Sequence, residues 1–285
     1  VRSGTRLQRL AIAAALCAIL AGCAGFFYKR LDWLAAWYVN GLVTLDEDQE
    51  QALRRMVKDT VAWHRGAQFP LYQAMLDNLD KDVDGPMSVA RVEQRYDEMV
   101  ALWDVMVERL VGDAAPLLDS LTIDQRNELF ASIEEQNDEF REEYSGSTAE
   151  LRYKRRVRTT IRVLQQFMGR LTEEQRMLVR ARLATMNDVA DEWLERRALW
   201  QANFRAVLDG NLRGAEFAAA LRDLALRPEQ FDSAEYRRKV SQNRQIAFRM
   251  LADLSSIMTP KQRERMSRKL REYAAELDEL TRQSS

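Results

Sequence analysis

Few side chains in this sequence can do chemistry of their own. Among 285 residues there are two cysteines, Cys17 and Cys23, and one histidine, His64. A thiol can be a nucleophile, a metal ligand, a disulfide partner or a lipid acceptor, and its neighbours decide which. Cys17 lies inside an uncharged apolar run from Leu10 to Leu20, and Cys23 closes the stretch Leu20-Ala21-Gly22-Cys23. A His/Cys metal cluster is excluded by count, so no metal ligand is assigned. His64 follows Trp63 in a helical pattern and reads as a partly exposed helical residue. There is no Gly-rich phosphate loop, no G-x-S-x-G and no dinucleotide fingerprint. Nothing marks a carboxylate pair as special among 44 Asp and Glu. The expectation is a protein that is not an enzyme, with no catalytic and no cofactor-binding residue.

Arg2, Arg6 and Arg9 precede the apolar run, and small residues precede Cys23. A basic region, a short apolar region and small residues before a cut describe a secretory signal over residues 1–22. The Leu-Ala-Gly-Cys ending resembles the lipobox of bacterial lipoproteins. That resemblance implies cleavage after Gly22 and a covalent lipid on Cys23, the only prosthetic group expected. Leu10 to Tyr28 is also long enough to cross a bilayer uncleaved, a reading that leaves Gly22-Cys23 unexplained. Ala24 follows Cys23, and by the same resemblance a residue other than Asp there favours the outer membrane, facing the periplasm. The membrane is thus the first expected partner, reached through acyl chains.

Without residues 1–22 the 43 Lys and Arg lose three, leaving 40 against 44 acidic residues. That balance is no signature of nucleic-acid binding. With Cys17 removed and Cys23 carrying lipid, no disulfide is expected, and helix packing alone must hold the body.

Behind an aromatic stretch, Phe26 to Leu42, the apolar residues recur at steps of three and four. The aromatic stretch reads as a short helix on the body or as a segment at the membrane interface. Val157, Ile161, Leu164, Met168 and Leu171 make one apolar face, and Met266, Leu270, Tyr273, Leu277 and Leu280 make another. Val179, Leu183, Met186, Ala190 and Trp193 run on to Trp200, Phe204 and Val207, with Arg197 interrupting. Breaks are expected at Asp84-Gly85-Pro86, Ser145-Gly146-Ser147, Gly210-Asn211 and Arg227-Pro228. Pro70 should kink or split its helix, and Gly112 with Pro116 should kink or interrupt another. Ser147 with Glu150 reads as a capping box. The fold expected is all-α: seven to nine helices in an elongated bundle or cradle.

Four helix starts look alike. They are Leu45-Asp46 with Gln49, Leu121-Thr122 with Gln125, Leu171-Thr172 with Gln175, and Met258-Thr259 with Gln262. Each puts an apolar residue before an N-cap and a Gln at N3, so cap oxygen and Gln side chain can satisfy orphan N–H groups reciprocally. The set resembles the L-T-x-x-Q motif of the Spy and CpxP family, periplasmic helical proteins with two copies per chain that form a cradle-shaped dimer. Leu121 and Leu171 open full matches, Asp46 replaces Thr in one copy and Met258 replaces Leu in another. The resemblance implies an ATP-independent chaperone or an envelope-stress adaptor. Tyr28-Lys29-Arg30-Leu31-Asp32-Trp33, Trp37-Tyr38-Val39 and Trp63-His64-Arg65 before Phe69-Pro70 are also similar to a family of uncharacterised Gram-negative lipoproteins, which implies no activity.

The spacing of the caps suggests a lipidated aromatic segment, 23–45, and two helical units, 46–171 and 172–285, as a tandem pseudo-dimer. One charge feature stands apart. An acidic helix end (Glu134, Glu135, Asp138, Glu139, Glu142, Glu143) is followed by Arg152, Lys154, Arg155, Arg156, Arg158 and Arg162. Those charges can pair across a hairpin, or the six cations can form a basic binding patch for anionic lipid or acidic unfolded clients. The expected function is a lipid-anchored periplasmic binding module whose partners are unfolded or envelope proteins. The alternative is a structural adaptor with one dedicated envelope partner.

Overall fold

A computed structural model describes residues 31–145 and 148–282 of the chain. Among these residues there is no strand, and the elements run α1 (Leu31–Asn40), α2 (Glu47–Trp63), α3 (Phe69–Asp82), α4 (Val89–Asp119), α5 (Ile123–Ser145), α6 (Ala149–Met168), α7 (Glu173–Ala184), α8 (Ala190–Asp209), α9 (Gly214–Leu226), α10 (Ala234–Ser256) and α11 (Pro260–Arg282). The all-α expectation holds, with more segments than seven to nine.

The extra segments come from local chemistry. At Pro70 the helix neither stops nor bends freely. It widens into one π turn, His64–Gln68, whose following N–H, from Phe69, reaches the His64 carbonyl. Proline has no N–H to give and its ring would meet the carbonyl four residues back, so the extra residue per turn absorbs the misfit. The stripe from Val179 to Val207 is broken at Thr185–Val189 and not at Arg197. There the Asn187 N–H donates to Asn243 Oδ1 (2.7 Å), and Asn243 Nδ2 returns a bond to the Asn187 carbonyl (3.0 Å). Side-chain amides that bond backbone compete with the helix ladder.

Two points of the sequence reading change. Gly112 and Pro116 do not interrupt α4, which runs unbroken through both. Pro116 stands one turn from the end, so only one ladder bond is at stake, and buried Ala115 beside it is anchored in the core. The cap of α6 is Thr148, whose hydroxyl accepts from the Leu151 N–H (3.2 Å). Helix α6 therefore starts one residue later than a cap at Ser147 requires, and Ser147 itself lies outside the described residues.

Helix α4 has 31 residues and, at 1.5 Å rise, spans about 46 Å. It bridges the cores. Its C-terminal end lies with Leu45, Leu53, Leu129, Phe130, Leu208 and Phe217 in the first. Its N-terminal end puts Val92 and Tyr96 against Phe248 of α10. The remaining core joins Val179 and Leu183 of α7 to Met250 and Leu254 of α10, with Val157, Ile161 and Leu164 of α6 packed on it. Fully buried side chains such as Phe217 and Leu208 each contribute about 1.5–3 kcal/mol. Packing also crosses the chain midpoint: α3 lies along α11, and α9 lies along α4. Arg263 of α11 donates to the carbonyls of Val83 (2.6 Å) and Gly85 (2.9 Å), which fixes the Asp84-Gly85-Pro86 turn on α11.

Candidate functional site: glutamine clasps and a basic helix

At each of the four helix starts the cap oxygen accepts from the Gln N–H, at 2.9–3.3 Å. Each Gln Oε1 accepts from the cap N–H in return, at 2.9–3.0 Å. Leu45, Leu121 and Leu171 are buried, and Met258 is half-buried.

The boxes then meet in pairs. Gln49 Nε2 donates to Gln125 Oε1 (3.0 Å) and Gln125 Nε2 donates back (2.6 Å). Gln175 and Gln262 do the same, at 2.8 and 2.9 Å. The second proton of each amide goes to the carbonyl two residues before the partner's cap. Those acceptors are Ser120 (3.1 Å), Thr44 (2.9 Å), Ile257 (3.0 Å) and Arg170 (3.1 Å). Each amide thus spends two donors and two acceptor positions, its full inventory. The two clasps share one local pseudo-twofold pattern. A cap alone would accept Glu at N3. Pairing demands an amide, because two facing carboxylates would repel and could donate nothing.

Helix α6 carries the basic residues, and it does not gather them into one patch. Tyr153, Val157 and Ile161 form its inward stripe. Lys154, Arg158 and Arg162, at four-residue steps, line a groove of about 470 Å3 toward α7, where Arg180 stands opposite. The floor is Val157 and Ile161, and Tyr153 Oη donates to the Arg180 carbonyl (3.1 Å), which fixes the groove's width. On the other flank Arg152, Arg155 and Arg156 line a second groove with Phe140, Asp188 and Trp193.

Arg152 pairs across to the turn between α7 and α8, and Lys154 pairs within its own helix. Arg152 Nε donates to Asp188 Oδ2 at 2.7 Å. Burial works to raise the Asp188 carboxyl, but the Arg152 hydrogen bond, the Ala190 N–H and the nearby guanidinium charge of Arg152 and Arg156 hold it below the usual range. Lys154 pairs with Glu150 of its own helix (2.6 Å) and holds that carboxyl down. In the acidic run, Arg141 turns back onto Glu134 (2.8 Å) and Asp138 (2.7 Å) within α5. Arg158 and Arg162 are exposed and have no ion-pair partner among the described residues.

Arg180 and Asp188 were not among the residues read from the sequence. Only the tight turn from Gly169 to Thr172 brings α7 beside α6, and no local pattern announces which α7 residue faces the groove. His64 sits between Phe69 and Tyr72, with Nε2 3.2 Å from Tyr72 Oη, and burial pushes its imidazole down to about 4. Among the described residues no group of His, Cys, Asp and Glu is placed to hold a metal. Cys23 and residues 1–22 lie outside the described residues. No described helix is long and apolar enough to cross a membrane.

The described residues define an all-α helical protein. Residues 41–237 match the family of unknown function DUF6279, and the chain belongs to that family. The match takes in three of the four caps and the whole of α6. No curated protein and no solved structure matches the chain.

Proposed function

We propose that this protein is a lipid-anchored binding module of the bacterial envelope that holds unfolded or partly folded envelope proteins without ATP. The observation that carries the reading is the groove between α6 and α7. It combines an apolar floor, Val157 and Ile161, with a cationic rim of Lys154, Arg158, Arg162 and Arg180. An open groove of that composition suits loose binding of extended chains. Apolar side chains find the floor, acidic residues find the rim, and nothing encloses the client. Acylation at Cys23 places the module at the periplasmic face of the outer membrane. The resemblance of the four caps to L-T-x-x-Q supports the same reading.

The test uses the chain with Cys23→Ser and without residues 1–22. A chemically denatured client is diluted into it and light scattering is followed. Suppression at near-stoichiometric ratios is expected. Arg158→Glu with Arg162→Glu should weaken it severalfold, while Arg155→Glu with Arg156→Glu, on the opposite flank, should change it little. No suppression with several clients would defeat the chaperone reading and leave an adaptor with one dedicated partner.

A further inference from the structure

The first core does not close completely. Between α1, α2, α4, α5 and α8 lies a cavity of about 430 Å3. Its wall is mostly apolar, with Val39, Leu42, Leu53, Leu118, Ile133 and Phe204 among the lining residues. Polar side chains enter it chiefly at one end, where Gln136, Arg197 and Gln201 converge from α5 and α8. Arg197 Nε and Gln201 Nε2 both donate to Asn137 Oδ1, at 2.9 and 3.2 Å, so this end is held in place. An apolar cavity of roughly 150 Å3 stays dry and takes a benzene. The present one is about three times larger, room for a chain of roughly a dozen to eighteen carbons.

Helix α1 closes one side. Ala35, Ala36, Val39 and Leu42 pack inward on the core. Trp33 and Trp37 stack on each other on the outer side, ring centroids 6.4 Å apart, and are 60% and 37% exposed. Exposed indoles suit a bilayer interface, where the ring has an apolar body and a polar edge to satisfy. Trp33 is ten residues from Cys23, at most about 36 Å of extended chain. The cavity therefore sits directly behind the first described helix that follows Cys23 in the chain.

We propose that this cavity binds one long acyl chain of an anionic amphiphile, tail among the leucines and head at Arg197. The site stands on the cavity and its polar end. Only the supply of acyl chains rests on the lipid-anchored reading. The occupant is a lipid from the surroundings, because the acyl group that Cys23 would carry has no anionic head for Arg197.

The experiment titrates the full-length chain, in mild non-ionic detergent, with 9,10-dibromostearate and with its methyl ester, reading tryptophan fluorescence. Trp200 lines the cavity and bromine quenches on contact. Saturable quenching near one equivalent is expected, and Trp200→Phe should remove most of it. Leu118→Trp, which fills the lumen, should weaken binding at least tenfold. Arg197→Gln should weaken the acid severalfold and leave the ester unchanged, and this comparison decides the matter if Leu118→Trp loses its helical circular dichroism. Quenching that never saturates, or that is the same in both variants, overturns the site. Uptake by both the native chain and Cys23→Ser is expected, and uptake by Cys23→Ser alone would show the protein's own acyl group in the cavity and overturn the proposal. Leu118→Trp should leave client light scattering unchanged, so loss of this site and loss of the chaperone reading are told apart.

Discussion

Gln175 is fully buried, yet an amide in a core is costly unless each of its polar atoms is paired. All of them are, through Thr172, Gln262 and Ile257. Gln175→Glu keeps the cap acceptor but loses both donors and buries a charge. It should cost about 2–4 kcal/mol, read as a lowered denaturant midpoint, where a cap-only role would predict almost no change. The half-exposed Gln125 should lose less by the same substitution. A second residue sets a pH dependence. The His64 imidazole is lowered to about 4 by burial, against 6.5 when unfolded. Its contribution to stability is therefore complete above pH 6.5 and is lost as pH falls from there through 4. The loss is bounded by about 3 kcal/mol and reduced by solvent screening of a partly exposed ring. Unfolding between pH 7 and 4.5 should show a steeper decline in the native chain than in His64→Gln.

At the scale of elements, the turn between α6 and α7 builds the groove. Gly169 ends α6 with φ of +75°, and a Cβ there would meet Arg265 Cδ at 2.9 Å. Gly169→Ala should cost about 1–2 kcal/mol, through left-handed backbone and displaced arginine together. It should also move α7, and with it Arg180, so client suppression should fall in the same variant at temperatures where it stays folded. The six basic residues show what helix geometry does to a linear run. Residues four apart share a face and residues two apart do not. Lys154, Arg158 and Arg162 go to one groove, and Arg152, Arg155 and Arg156 to the other. Within α5, Arg141 takes up part of the acidic run before it can face a neighbour.

Across the whole molecule, the clasps pair caps within 46–171 and within 172–285, while the long packing contacts run between those halves. Helix α3 lies on α11, α9 on α4, and α4 reaches both cores. Neither half keeps its apolar faces covered without the other. Thermal unfolding of the intact body should be one transition, with calorimetric and van't Hoff enthalpies in agreement. Two resolved transitions would show that the halves are independent.

The sequence by itself determined the all-α class, because periods of three and four with scarce Gly and Pro leave no strand to form. It also determined where the four capped helices begin, since a cap, a preceding apolar residue and a glutamine at N3 act within five residues. The choice of Gln over Glu in all four copies was a legible sign that the side chain does more than cap. Its partner was not legible, because Gln49 and Gln125 are 76 residues apart and Gln175 and Gln262 are 87 apart. Only tertiary packing decided those pairs, the division of the α6 cations into two grooves, and the cavity behind α1. Each depends on how faces of different helices approach one another, and a local pattern records which face is apolar but not what it meets.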